Sequence, residues 1–242
     1  MKKKRCIFVL MLGPMIFSSC ATKASTVEKK ENEKTPVESN LLFGLSNDAY
    51  SELMKTSLIS TGNNYRVKKV IEKLRAGEKV YVACIGGSVT EGAGPANFKD
   101  GYAYQFNNKL KKEFTPDNGG NVIFDGAGLS GTPSPLGLIR YESDVVKTLG
   151  STPDILVIEF AVNDGGECTN QRAFEALVRN ALIANPNTAV IALYAAATYN
   201  NTQIQMKRVA DFYEIPQISI MDVYNLAKGK NLHDKREALK AK

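Results

Sequence analysis

The sequence predicts an α/β protein of three layers, α/β/α, with five parallel strands covered on both faces by helices. Five short apolar runs recur along the chain: KVYVACIG, NVIFD, DILVIEFA, TAVIALY and PQISI. Most are continuous rather than alternating, the pattern of strands buried on both faces. Segments of about ten or more residues at helical spacing separate them, the length that a crossover between parallel strands requires.

Each element has its own signal. Tyr65, Val67, Val70, Ile71 and Leu74 recur on one helical face and Gly77 stops the pattern, so a helix should lead into the strand KVYVACIG. Tyr102, Phe106 and Leu110 mark a second helix over Tyr102 to Phe114, and the DNGG turn then introduces NVIFD. Leu136 to Leu149 reads as helix and Asp154 to Ala161 as strand. A helix over Arg172 to Ala184, the strand TAVIALY, a helix over Gln203 to Tyr213 and the short strand PQISI complete the set.

The chain of 242 residues is 43% apolar and 23% charged, a composition that can build one sizeable core. The formal charge of +6 reflects the N-terminus: removing Lys2, Lys3, Lys4 and Arg5 from the 31 basic residues leaves 27 against 25 acidic ones. No basic stripe interleaved with aromatics remains, so nucleic acid is not an expected partner. KKKR, an apolar run from Ile7 to Phe17 and the small residues before Cys20 read as an export signal over residues 1–20. The run is shorter than the roughly 20 apolar residues that span a bilayer. FSSC resembles the lipobox of bacterial lipoproteins, which implies a lipid anchor on Cys20 and a membrane-anchored lipoprotein at the cell surface or in the periplasm; ordinary signal cleavage is the alternative. Residues 21–40 carry almost no large apolar side chain and read as a disordered tether, leaving 41–242 as the folded domain. Cys84 and Cys168 would then remain, too few for a disulfide framework, and with His233 the one histidine, a zinc site of His and Cys ligands is not expected.

In an open parallel sheet, ligands sit beyond the carboxyl ends of the strands, and three post-strand loops there carry chemistry. The first, GGSVTEG, presents Ser88 in a tight glycine turn, where a serine can serve as nucleophile. The second, GAGLSGT, holds Gly128, and the third, FAVND, holds Asn163. Acyl transfer needs a nucleophile and N–H donors aimed at the oxygen that turns negative; the amides of Ser88 and Gly128 and the carboxamide of Asn163 make three. Taken singly, each has a plainer reading as a turn serine, a loop glycine or a helix-capping turn. The glycines around Gly92 and Gly94 complete no G-x-G-x-x-G, no P-loop occurs, and Thr90 stands where G-x-S-x-G requires its last glycine.

Read together, GGSVTEG, AGLSGT and AVND resemble three blocks of the SGNH (GDSL-type) hydrolases in order and spacing over roughly residues 60–228. Ala161 replaces the glycine usual two positions before the asparagine. The resemblance implies a flavodoxin-like parallel five-stranded sheet. It also implies Ser88 as nucleophile, Gly128 and Asn163 as oxyanion donors, and an acyl-enzyme route with no cofactor and no metal. The family's base is a histidine within Asp-x-x-His near the C-terminus, and His233 is the one candidate, but Lys230 stands at the aspartate position and Asp234 replaces the usual proline. Either His233 serves in this altered setting, or the domain is truncated before the true block. The expected activity is cleavage of short acyl esters, acetyl above all, on a small molecule or polysaccharide. Lysophospholipase or thioesterase activity, and a surface-anchored glycan-binding protein of impaired catalysis, are the alternatives.

Overall fold

All five apolar runs become strands, and they share a sheet with a sixth that hydropathy does not reveal. The structure is a computed structural model that describes residues 47–229. The segments expected to be an export signal ending at Cys20 and a tether, and His233, lie outside the described residues. In chain order the strands are β1 (Leu58–Ser60), β2 (Val80–Gly86), β3 (Val122–Gly128), β4 (Ile155–Glu159), β5 (Ala189–Tyr194) and β6 (Gln217–Ser219). The helices are α1 (Asn47–Ser57), α2 (Tyr65–Arg75), α3 (Ser88–Glu91), α4 (Tyr102–Phe114), α5 (Ser134–Tyr141), α6 (Cys168–Ala184), α7 (Gln203–Phe212) and α8 (Ile220–Gly229), and α5 runs on into a π-helical turn, Glu142–Lys147.

The strand order is β1-β6-β5-β4-β2-β3, parallel from β6 to β3, while β1 pairs antiparallel with β6. This corrects the expected fold class: the protein is α/β, but its sheet is mixed and six-stranded, not purely parallel, five-stranded and flavodoxin-like. β1 joins Leu58 to Ile218 and Ser60 to Gln217 across an irregular register. Three residues that follow a helix directly give no periodicity to read. Their backbone groups nonetheless cover the edge that β6 would otherwise leave unpaired. Asn63 extends the contact by donating its amide to the Glu214 carbonyl at 2.7 Å.

Helices cover both faces of the sheet. On one, Val70, Ile71 and Leu74 of α2 and Phe106 and Leu110 of α4 pack on Val82, Cys84 and Val157. On the other, Phe174, Leu177 and Val178 of α6 and Met206 of α7 pack on Ile85, Leu156, Ile158 and Val190. Every residue of β4 and β5 is buried, which explains their unbroken apolar sequences. α1 and α8 pack together through Leu53, Val223 and Ala227. Cys84 is a buried strand residue and Cys168, at the start of α6, is exposed; both are free thiols.

Candidate active site

The register of the sheet brings three of the sequence-predicted residues, Ser88, Gly128 and Asn163, to one strand end. β2 lies between β3 and β4, and its last residue, Gly86, is level with Gly128 on one side and Glu159 on the other. The chain therefore leaves β2 at Gly87 and Ser88 with the end of β3 on one flank and the turn after β4 on the other. Ser88 is partly exposed and opens α3, a single helical turn. Gly128 is the last residue of β3, one step earlier than a post-strand loop, because the strand pairing continues through Gly126 and Ala127. Asn163 stands in the turn after β4, its amide donating to the Phe160 carbonyl at 3.0 Å.

Two glycines make this approach possible. A Cβ on Gly87 would run into Oδ1 and Cγ of Asn163, so the carboxamide lies directly on the backbone before Ser88, with Nδ2 further from it. A Cβ on Gly128 would strike the backbone of Thr90 and Glu91, so the end of β3 lies against α3. Side chains at either position would force the three segments apart.

Polar groups fix these segments from behind. The Gly86 carbonyl accepts from the Leu129 amide at 3.1 Å and from Nη2 of buried Arg140 at 2.8 Å, while Nη1 of Arg140 pairs with Asp144 at 3.1 Å. The Ser130 hydroxyl donates to the Glu91 carboxylate, tying the loop after β3 to α3. Asp164, beside Asn163, accepts the Ser134 amide at 2.6 Å at the start of α5. Asn200 donates to the carbonyls of Val162 and Asp164 at 3.2 and 2.7 Å, and Thr202 donates its amide to the Ala161 carbonyl at 2.8 Å. Burial raises the Asp164 carboxyl above its ordinary value, and the Ser134 amide pulls it partway back.

Sequence reasoning missed Glu159, Thr90 and Arg140. Glu159 is fully buried at the end of β4, and Oε2 accepts the Thr90 hydroxyl at 3.2 Å while Oε1 has no hydrogen-bond partner. Burial pushes its carboxyl from the ordinary 4.5 up to about 7; Thr90 lowers it, the nearby Asp164 charge raises it, and the Gly87 amide lowers it. The one signal in the sequence was an acid inside an otherwise apolar strand, DILVIEFA. His233 lies outside the described residues, and among the described residues there is no histidine.

The mixed, mostly parallel sheet brings a serine, a glycine and an asparagine to one strand end. The chain belongs to the GDSL-like Lipase/Acylhydrolase family, whose model matches residues 84–229, and with it to the SGNH hydrolases. Among solved structures it is similar to a two-domain esterase (CEX) active on acetylated mannans. The form co-crystallized with mannopentaose is 29% identical with a TM-score of 0.66, covering 72% of this chain and 47% of that one. A second structure of the same esterase is 30% identical, also with a TM-score of 0.66, covering 72% and 46%. The chain thus spans about half the length of that esterase. A comparison with curated proteins finds no match.

Two outcomes follow from this geometry. Glu159 is raised in the folded protein, so between its unfolded value near 4.5 and its folded value of about 7 the native state holds the extra proton, and stability falls as pH rises through that window. Glu159→Gln removes this loss: relative to the variant, the wild type should lose about 3 kcal/mol between pH 4.5 and 8, read from denaturant unfolding at several pH values. Gly87→Ala places a methyl group in the Asn163 carboxamide and should destabilise the fold by about 1–3 kcal/mol, measured as a shift in denaturation midpoint.

Proposed function

We propose that the protein is a serine esterase that cleaves short acyl esters through an acyl-enzyme. The observation that carries this reading is the placement of Ser88 at the exit of β2, flanked by Gly128 on β3 and by Asn163 after β4. In the proposed reaction Ser88 Oγ attacks the ester carbonyl carbon as a base takes its proton. The carbonyl electron pair moves onto oxygen, where the amides of Ser88 and Gly128 and the carboxamide of Asn163 stabilise the charge. Collapse of this intermediate breaks the bond to the alcohol, which leaves with the proton, and water then releases the acid from Ser88 by the same steps. Donors held before the reaction need no reorganisation, and losing one typically costs about 10²–10³ in rate. His233 is the candidate base.

An acetyl group on a carbohydrate is the proposed substrate. It is supported by the likeness to an esterase active on acetylated mannans at about three-tenths identity; the export proposed from residues 1–20 would place the enzyme where such polymers occur. Attachment through Cys20 would hold it on a membrane; Cys20→Ala should shift the protein from the membrane to the soluble fraction of the producing cell.

Hydrolysis of an aryl acetate tests the mechanism. Ser88→Ala should reduce turnover by at least about 10³-fold, and a fluorophosphonate should label the wild type at Ser88 and not the variant. Full activity in Ser88→Ala would overturn the reading. His233→Ala decides the base: undiminished turnover removes His233 from the mechanism.

A further inference from the structure

The helix that presents Ser88 is too short to hold itself. α3 has four residues, and the hydrogen bonds closing it are those from Glu91 to the Gly87 carbonyl and from Gly92 and Ala93 to the Ser88 carbonyl. One isolated turn lies on the unfavourable side of helix nucleation, so its position must come from contacts outside it. Thr90 is the one buried residue of α3, 1% exposed. Its hydroxyl donates to Glu159 Oε2 at 3.2 Å and lies 2.7 Å from the Tyr102 hydroxyl on α4. The single Thr90 proton goes to the carboxyl, so Tyr102 is the donor in the second bond. A phenol that burial keeps protonated suits that part. The chain of donors therefore runs from α4 through α3 and ends on β4. Gly86 permits it, because a Cβ there would strike the Thr90 side chain.

We propose that Glu159 is a positioning residue: through Thr90, whose hydroxyl Tyr102 holds from the other side, it fixes the helical turn that presents Ser88. Its meaning for catalysis rests on the reading of Ser88 as nucleophile. A carboxyl is a costly group to enclose here, since Ile158, Phe160 and Ala161 beside it are all fully buried and among the described residues no salt bridge reaches it. Packing alone would favour an apolar residue at this point of β4. What an apolar residue lacks is an oxygen that accepts from Thr90.

Amide exchange by NMR on the full chain tests this, with Glu91, Gly92 and Ala93 as reporters and Leu156, Ile158, Val190 and Ala192 as controls. Glu159→Leu and Thr90→Val should each lower protection of the three reporters about tenfold with the strand amides unchanged. The double variant should be no worse than either single one, and Glu159→Gln, which keeps an acceptor oxygen, should retain protection. Aryl acetate turnover should follow: kcat falls with KM unchanged in the first two variants and returns in Glu159→Gln. Reporters that stay protected, a loss shared equally by the strand amides, or effects that multiply in the double variant would overturn the proposal. Thr90→Val carries the test by itself where Glu159→Leu does not fold. A wild type that shows this exchange pattern without hydrolysing any ester would count against the esterase reading and leave the role of Glu159 standing.

Discussion

The close approach of three backbones at the carboxyl end of β2 is the constraint on which the site depends. β2 is hydrogen-bonded on both sides, so the segments leaving β3 and β4 arrive at its end whatever their loops contain. Whether they touch is then decided by side-chain volume. Glycine at 87 lets Asn163 rest on the chain, and glycine at 128 lets the end of β3 rest on α3. A methyl group at either point would separate groups that the proposed reaction gathers around one carbonyl oxygen, and catalytic electrostatics is sensitive to displacements of that size.

Such an arrangement leaves polar backbone at a strand end that is partly closed to water, and the protein satisfies it with side chains that are themselves expensive to bury. Arg140 takes the Gly86 carbonyl, Asp164 takes the Ser134 amide, and Asn200 takes two carbonyls of the Asn163 turn. Each hydrogen bond adds little net stability, because the unfolded chain makes equivalent bonds to water. What the set provides is a single conformation for three irregular segments that have little regular structure of their own. The rigid sheet fixes where the loops start, and these contacts fix where they go.

Five strands are plain in the sequence, the β3 edge among them, and the β1 edge is not. β2, β4 and β5 announce themselves because burial on both faces demands unbroken apolar residues. β1 escaped because three residues, Leu58, Ile59 and Ser60, have no period, and its antiparallel pairing with β6 depends on backbone groups that no side chain reports. The positions of Ser88, Gly128 and Asn163 were legible because each follows or ends a readable strand. Glu159 was not, although an acid in DILVIEFA is out of place by hydropathy alone. Its partner Thr90 is 69 residues away in sequence and meets it only through the sheet register. Arg140 likewise reads as a surface residue of an amphipathic helix until the fold places its guanidinium on Gly86.

The charge state of Glu159 links the packing to the chemistry proposed for Ser88. An oxyanion forming beside Gly87 and Ser88 would lie at the strand end where this carboxyl is buried, and two negative charges at a site partly closed to water oppose each other more strongly than in water. Burial already favours the protonated form, and a developing oxyanion would favour it further. A proton on Glu159 removes the opposing charge and leaves Oε2 able to accept from Thr90, since a protonated carboxyl retains acceptor capacity. Glutamate at this position can therefore hold the helix in either protonation state, whereas the electrostatic penalty on the reaction belongs to the ionised state alone. At position 159 Gln would provide the acceptor without the charge, and Leu would provide neither, so the two substitutions separate the mechanical part of the carboxyl from its electrostatic part.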